Sequence, residues 1–448
     1  MNGKNATETK ETVARKLGGL ERYHLMLQNF LHTNVVVHAR VAGHITEDML
    51  RRPLDLLQKR HPLMTVRIDR RRSGPRFMSG GVPAIPLRVI SLPEESWHTV
   101  AESELNTPLP IDRGPLLRCV LATHGNSRST ILITYSHTIG DGMAGAGMMR
   151  DLLAFINDET IMDIQPLILK KKMEAYFPRK TRGIPGALAY MKINHHYMKH
   201  LRESGGSIMP EYDGQAPLHE RWIQIVPRQI DGTTVKKLSE KARSEGTTVN
   251  SALTAAHLMA LAHDLDHRKP VSMALMSAVN LRNILSGAAD GDMGNFAGSC
   301  NTVHRVDIRG SLWELAREHR SDLLESIEAR EPMLHLLGLN LYDGIIRWIG
   351  HDNFAARSLD RFYAGFKQKM TIVSNMGRID MGTTRSNLNI ESLGFASSSR
   401  ASGMIYSIIA MTDRCMTWNF VATDPLYSRK HLESIADHAV SLILNTID

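Results

Sequence analysis

The sequence has few cysteines, few aromatic residues and no long apolar run. Its three cysteines, Cys119, Cys300 and Cys415, lie far apart and form no CxxC pair. This spacing argues against a disulfide framework or a zinc knuckle and predicts reduced thiols in a cytoplasmic protein. No apolar stretch approaches the roughly 20 residues that cross a bilayer, and the polar residues 1–16 contain no signal-peptide core. The sequence therefore predicts a protein of the cytoplasm with no metal held by cysteine.

The length of the chain predicts two lobes, because 448 residues exceed what one hydrophobic core usually serves. Strand-like and helix-like segments alternate irregularly, which favours an α+β fold in each lobe over a regular βαβ arrangement. A disordered tail over residues 1–16 is expected before an N-terminal lobe over 17–204. A Gly/Pro-rich linker over 205–217 then leads to a C-terminal lobe over 218–448. Two lobes can form a complete site within one chain, so we expect a monomer.

One segment of six residues, 137–142, combines a base with a tight turn. It reads HTIGDG, follows a strand-like run over 130–136 and precedes a helix-like run over 143–156. Histidine titrates near neutral pH, so His137 at the end of a buried strand is a candidate general base. Asp141 is placed to cap the following helix or to reach another segment.

The HxxxDG pattern is also the signature of a superfamily that the rest of the sequence resembles. The chain is similar to acyltransferases built like chloramphenicol acetyltransferase, which include condensation domains, polyketide-associated acyltransferases and fungal alcohol acetyltransferases. Further matching stretches follow in the same order: LGGLERYH at 17–24, RHPL at 60–63, GPLLR at 114–118, SAVNLR at 277–282, GNFAG at 294–298 and VSNMG at 373–377. The resemblance implies two such lobes packed in a V, with His137 in a tunnel between them.

Two differences from other members of the superfamily narrow the class of enzyme that the chain resembles. Ser136 stands where peptide-forming condensation domains usually carry a second histidine, and the DFGWG motif of the plant enzymes is absent. Both differences favour a free-standing acyltransferase. The absence of a GxSxG nucleophile elbow agrees with a mechanism that needs no covalent acyl-enzyme.

The resemblance also implies roles for the residues of the motif. His137 would take a proton from an alcohol or amine acceptor, which then attacks a thioester carbonyl. The motif aspartate of this superfamily usually pairs with an arginine of the other lobe, and Arg282 stands at the matching place. We therefore expect an ion pair between Asp141 and Arg282 that fixes the loop of His137 and relays no proton. At Gly142, a side chain would crowd the approach to substrate.

Three further residues are candidates for contact with substrate. Ser374 and Asn375 would offer a hydroxyl or amide donor to the oxyanion at the end of a strand, although Ser-Asn at such a place can also be only a turn. Asn295 is expected to line the channel. His196 and His200 have i, i+4 spacing but no third ligand, so no metal site is predicted.

The positive charge of the chain is concentrated in one segment. Nine Lys or Arg and one acid, Glu174, lie between Lys170 and Arg202, which gives this segment the whole net charge of +8. It could dock an acidic carrier protein, contact the phosphates of coenzyme A, contact an anionic membrane surface, or form only a solvated helix face. Nucleic acid is not an expected partner, because aromatic residues make up 6% of the chain and no binding module is recognisable.

Taken together, these patterns predict an O-acyltransferase of lipid or polyketide metabolism. Its co-substrate would be acyl-CoA or a phosphopantetheinyl thioester on an acyl carrier protein, its acceptor an apolar alcohol, and it would have no tightly bound cofactor. Three alternatives remain: amide formation on an amine acceptor, a non-catalytic module that docks a carrier protein, and another reaction, such as a cyclisation, in the same tunnel.

Overall fold

A computed structural model describes residues 12–31, 33–70, 74–265, 269–286, 293–338, 370–381 and 388–447. Within these residues, fourteen strands form three sheets of three, five and six strands. The mixed α and β elements build two sheet-rich lobes, which confirms the predicted fold class.

The first half of the chain contains seven strands and five α-helices within the described residues. In chain order these are β1 (Thr12–Lys16), α1 (Gly19–Leu31), β2 (Asn34–Ala42), α2 (Glu47–Arg60), β3 (Val66–Asp69), β4 (Arg76–Ser79), β5 (Leu87–Ser91), α3 (Trp97–Asn106), β6 (Leu117–His124), β7 (Arg128–Ser136), α4 (Gly142–Asn157) and α5 (Gly183–Glu203).

The second half begins with an edge strand and ends with a helix. Its elements are β8 (Trp222–Asp231), α6 (Gly232–Ser244), α7 (Val249–Asp264), β9 (Val271–Asn280), β10 (Ala297–Val306), α8 (Leu312–Glu328), β11 (Met370–Arg378), β12 (Asn389–Ser397), β13 (Tyr406–Met411), β14 (Cys415–Asp424) and α9 (Arg429–Asn445).

The sheet of the N-terminal lobe has the order β12-β2-β7-β6-β5. Its central strands are apolar on both faces, since Val35, Val36 and Val37 of β2 are all at most 1% exposed. The edge strand β12 comes from the second half of the chain and runs antiparallel to β2. One strand of the second half therefore completes the sheet of the first lobe.

The structure corrects the last part of the predicted N-terminal tail. Instead of belonging to a disordered segment over 1–16, residues Thr12–Lys16 form β1, which pairs with β4 in a small sheet of order β1-β4-β3. The side chain of Arg15 helps to explain why this segment forms a strand, because it donates to Glu21 of α1 at 2.6 Å and lies over the ring of Phe77. Strand β1 has no alternating apolar pattern, so its position depends on the ion pair between Arg15 and Glu21 and on pairing with β4.

The six-stranded sheet of the C-terminal lobe has the order β10-β9-β11-β13-β14-β8. The core on one face contains Trp418 and Phe420 of β14 and the almost wholly buried helix α7. Helices α8 and α9 pack against α7 on this side. On the other face, Tyr197 and Leu201 of α5 pack against Val303 of β10. Helix α5, the second part of the basic segment, thus lies against the C-terminal lobe.

Helix α3 joins the two lobes along the open edge of β8. The Asn106 amide donates to the carbonyl of Ile223 at 2.9 Å and accepts from its backbone N–H at 3.0 Å. One turn earlier, the carboxylate of Glu102 accepts from the backbone N–H of Ile225 at 2.7 Å. Edge strands leave such groups unpaired, so these side chains satisfy backbone groups that a sheet partner would otherwise bind. No helix among the described residues is long and apolar enough to span a membrane.

Candidate active site

His137 lies immediately after the last paired residue of β7. Ser136 is the register partner of Asn34 in β2, and the backbone N–H of His137 then donates to the carbonyl of Thr33 at 3.2 Å. The buried strand therefore delivers the histidine to the end of the sheet, where its side chain keeps part of its surface exposed. This is the placement that the sequence predicts for a base.

The hydrogen bonds of the ring define which nitrogen can act as a base. Nδ1 of His137 lies 2.9 Å from the carbonyl oxygen of Gly140. The amide nitrogen of Asn295 lies 3.1 Å from the same Nδ1, but this amide already donates to the carbonyl oxygen of His137. Because the Gly140 carbonyl can only accept, we assign the hydrogen to Nδ1 and the lone pair of the neutral ring to Nε2. Burial lowers the pKa of His137, while the charge of Asp141 and backbone hydrogen bonds oppose that shift. The imidazole is therefore neutral, and available as a base, near neutral pH.

Asn295 holds the same loop from the C-terminal lobe. Its side-chain amide donates to the carbonyl oxygen of His137 at 3.0 Å, and its oxygen accepts from the backbone N–H of Ala297 at 3.3 Å. Asn295 is only 4% exposed. It therefore positions the backbone of His137, while the contact with substrate predicted for Asn295 stays a prediction.

Asp141 connects the two lobes through both of its carboxylate oxygens. Oδ1 accepts from the backbone N–H of Ala144 at 2.9 Å and caps α4. Oδ2 accepts from Nη1 of Arg282 and from the backbone N–H of Phe296, each at 2.7 Å. The side chains of Asp141 and Arg282 are 5% and 1% exposed, so the predicted ion pair is present and is buried. Removing one partner of such a pair typically costs about 3–5 kcal/mol.

Arg282 is itself held on several sides. It follows β9, and its backbone N–H donates to the side chain of Asn280 at 3.0 Å. Nη2 donates to the carbonyl of Gly294 at 3.0 Å, and the guanidinium lies 4.8 Å from the centroid of the Phe296 ring. The planar guanidinium with its fixed donors suits this task, because it can bind a carboxylate and a carbonyl at once.

The structure adds a second histidine that sequence reasoning missed. The ring of His24, on α1, stacks on that of His137 with centroids 3.9 Å apart and planes 18° apart. Among the described residues, the buried Nδ1 of His24 has no hydrogen-bond partner. Burial, and then the charge of His137, lower the pKa of His24 well below its usual value. The sequence does contain an indication that His24 faces the interior, because it shares one helix face with the buried Leu20 and Gln28 at i, i+4 spacing.

Gly142 packs closely against the second half of the chain. A Cβ built there would lie 3.0 Å from Sδ of Met376 and 3.2 Å from the ring of Phe395. Both residues belong to strands of the second half, β11 and β12. The glycine thus lets α4 begin directly against these strands, and its predicted role in the approach of substrate stays a prediction.

Ser374 and Asn375, neighbours on β11, point to opposite faces of the sheet, because side chains alternate along a strand. The Asn375 amide donates to Asn250 of α7 at 3.1 Å, and its oxygen accepts from the backbone N–H of Gly377 at 2.7 Å. Asn375 is therefore used inside the C-terminal lobe. Ser374 is half-buried on the other face, away from α7, and is the better candidate for an oxyanion donor.

The comparison with protein families matches the second half of the chain. Residues 226–415 match the family described as the phthiocerol/phthiodiolone dimycocerosyl transferase C-terminus. This segment contains Arg282, Asn295, Ser374 and Asn375, while His137 lies outside it. No curated protein matches the sequence.

Solved structures match nearly the whole chain. Trichothecene 15-O-acetyltransferase TRI3 from Fusarium sporotrichioides has a TM-score of 0.74 at 12% identity, covering 99% of this chain and 97% of that one. Polyketide synthase associated protein 5 from Mycobacterium tuberculosis has a TM-score of 0.64 at 15% identity, covering 98% and 99%. The first condensation domain of the CDA synthetase has a TM-score of 0.67 at 16% identity, covering 99% and 97%.

These likenesses confirm the resemblance drawn from the motifs. The chain has the two-lobed fold shared by chloramphenicol acetyltransferase-like acyltransferases and condensation domains. Its second half matches a transferase family within that superfamily.

Proposed function

We propose that the protein is an acyltransferase in which Nε2 of His137 is the general base. The observation that supports this most directly is the hydrogen bond from Nδ1 to the Gly140 carbonyl, which leaves the lone pair on the other nitrogen. The base stands on a loop clamped between the lobes by Asp141 and Arg282, and its pKa is lowered by burial. A neutral, fixed and partly exposed imidazole is what general-base catalysis requires.

The proposed reaction needs one base and one oxyanion donor. Nε2 takes the proton of an alcohol as the alcohol oxygen forms a bond to the thioester carbonyl carbon. The tetrahedral oxyanion is stabilised by a hydrogen bond from Ser374. The carbon–sulfur bond then breaks, the imidazolium returns its proton to the departing thiolate, and an ester and a free thiol leave.

Asp141 has a structural part in this mechanism. In a relay, a carboxylate would accept the Nδ1 hydrogen of the base. Here the Gly140 carbonyl accepts that hydrogen, while both oxygens of Asp141 are engaged elsewhere, on α4 and Arg282. Asp141 therefore acts by holding the geometry of the loop.

The substrates follow from the same features. We infer an alcohol acceptor, supported by Ser136 in place of a second histidine and by the likeness to an O-acetyltransferase. We infer an anionic thioester donor, acyl-CoA or a phosphopantetheinyl carrier, with the exposed basic residues of the 170–202 segment as its electrostatic partner. Lys171, Lys172, Arg179, Lys180 and Arg182 are exposed there.

Product analysis with acyl-CoA and candidate alcohols tests this function. We expect release of free thiol and formation of an ester, detected with a thiol reagent and by mass spectrometry. His137→Ala should lower kcat by about two to four orders of magnitude in a protein that is still folded at the assay temperature, which thermal unfolding checks. His44→Ala, at an exposed position after β2 and outside the basic segment, is the matched control and should leave the rate unchanged.

Two results would contradict the proposal. Turnover that survives His137→Ala would point to another reaction in the same fold. A wild-type protein that binds an acyl carrier protein but turns over no thioester would support the non-catalytic alternative.

A further inference from the structure

A second group of ionisable side chains lies in the C-terminal lobe, at the edge of its six-stranded sheet. His304 is on the edge strand β10, and Glu318 and Asp322 are on α8. The proposed acyl transfer uses none of them. Among the described residues, this is the one group of three such side chains whose ligand atoms all lie within 4.8 Å of one another.

The geometry of the group suits a single small cation. Nδ1 of His304 lies 3.3 Å from Oε1 of Glu318 and 3.7 Å from Oδ2 of Asp322. Ligand atoms about 2.1 Å from a common zinc ion are separated by roughly 3.4 Å in a tetrahedron. The two carboxylates come from positions i and i+4 and share one helix face. Only small side-chain movements would therefore close all three around an ion.

The environment of His304 fixes its orientation. Its side chain is 0% exposed, and Nε2 lies 2.8 Å from Oγ1 of Thr302. If Nε2 carries the hydrogen and donates to that hydroxyl, the lone pair of the ring is on Nδ1 and faces the carboxylates. Metal-binding histidines are commonly held in this way by a hydrogen bond at the second nitrogen.

The acidic side of the group carries negative charge that the lobe only partly balances. Glu325 follows Asp322 by one turn of α8 and adds a third carboxylate on this side, so that like charges repel one another here. A divalent cation between the carboxylates would remove this repulsion. The carboxylates of Glu318 and Asp322 are 49% and 38% exposed, so an ion can enter from solvent.

We propose that His304, Glu318 and Asp322 bind one divalent cation and thereby fasten α8 to the edge strand β10. The combination of one imidazole nitrogen with two carboxylates favours zinc, cobalt or manganese over calcium, which prefers oxygen ligands alone. Water would fill the remaining position. The site is structural and separate from the chemistry at His137.

Titration of the chelator-treated full-length protein with Co²⁺ and Zn²⁺ tests the site. We expect one equivalent of Co²⁺ to bind with visible absorption bands, Zn²⁺ to displace it, and Zn²⁺ to raise the thermal midpoint. Glu318→Gln and Asp322→Asn keep the shape of each side chain and should weaken binding by roughly tenfold or more. His195→Ala, at an exposed histidine outside the group, should bind like the wild type.

The variants also separate loss of a ligand from loss of folding. Glu318→Gln alters a half-exposed side chain, so the metal-free protein should unfold at the wild-type temperature while the Zn²⁺-dependent increase disappears. Absence of saturable binding to the wild type would overturn the proposal and leave only a polar contact between His304 and the two acids. Binding that is unchanged in both carboxamide variants would overturn it too.

Discussion

The ring of His24 lies face to face with the ring of His137, with the two centroids 3.9 Å apart. Two imidazolium rings at this distance would repel each other strongly, so at most one of the pair carries a proton. The half-buried His24 also covers one face of the proposed base and keeps water from that face. His24 is therefore a positioning residue for His137, because it helps to keep that ring desolvated and neutral.

Replacing His24 should move the pH dependence of catalysis. Activity is lost as pH falls through the pKa of the base, and burial holds the pKa of His137 below its usual value. His24→Ala admits water, so the acid limb of kcat/KM should shift to higher pH. His24→Phe keeps an apolar stacked ring and should leave the limb near its wild-type position. Identical pH profiles for the two variants would show that the stack does not set this pKa.

The ion pair between Asp141 and Arg282 should dominate the stability of the junction. Asp141→Asn leaves the buried guanidinium of Arg282 without its counter-charge and should lower the free energy of unfolding by about 3–5 kcal/mol. Urea denaturation measures this change. Asp163→Asn removes the exposed partner of Lys59 and should leave the midpoint unchanged. Equal effects of the two substitutions would refute a special role for the buried pair.

Substitutions at the neighbours Ser374 and Asn375 should affect different properties, catalysis for Ser374 and stability for Asn375. Ser374→Ala removes the proposed oxyanion donor and should lower kcat by about 10²–10³ with little change in KM. Asn375→Ala breaks the hydrogen bonds to Asn250 and Gly377, so its main effect should be on the thermal midpoint. Steady-state kinetics and thermal unfolding of both variants check this. A larger loss of kcat in Asn375→Ala would reverse the assignment.

Buried neutral histidines should make the fold sensitive to acid. Burial lowers the pKa of His38, His257 and His319 to about 3. An unfolded histidine titrates near about pH 6.5, so below that pH the unfolded chain binds more protons and the free energy of unfolding falls. The loss should continue as pH decreases towards about 3.

His38 offers a direct test of that sensitivity. Among the described residues, neither of its ring nitrogens has a hydrogen-bond partner, so His38→Leu loses no such bond. The variant should be more stable than the wild type at about pH 5, and the advantage should shrink towards about pH 8. Urea midpoints across this range measure it, with the exposed His44→Leu as control. A constant difference at all pH values would mean that packing, not titration, is responsible.

Local features were predictable from the sequence because they depend on neighbouring residues. The helix-like run over 143–156 is α4, Gly142–Asn157, and Asp141 caps it as expected. The pairing of Asp141 with Arg282 was accessible only through the resemblance, since 141 positions separate them. Spacing along a chain does not specify which distant segments meet.

Other features depend on tertiary contacts that no local pattern encodes. Strand β12 lies over Asn389–Ser397, and its place beside β2 follows from long-range pairing. The role of Asn375 depends on Asn250 across the lobe, and that of His24 on the ring that it covers. Apolar periodicity indicates that such positions are buried, but it does not show which residues they contact.

Because β12 completes the sheet of the first lobe, the two halves of the chain are not independent folding units. A fragment that stops before residue 389 leaves the long apolar strand β2 with one row of backbone groups open to other chains, which is a template for self-association. Cutting the chain within residues 205–217 should therefore yield two pieces that refold by complementation when mixed and precipitate when kept apart.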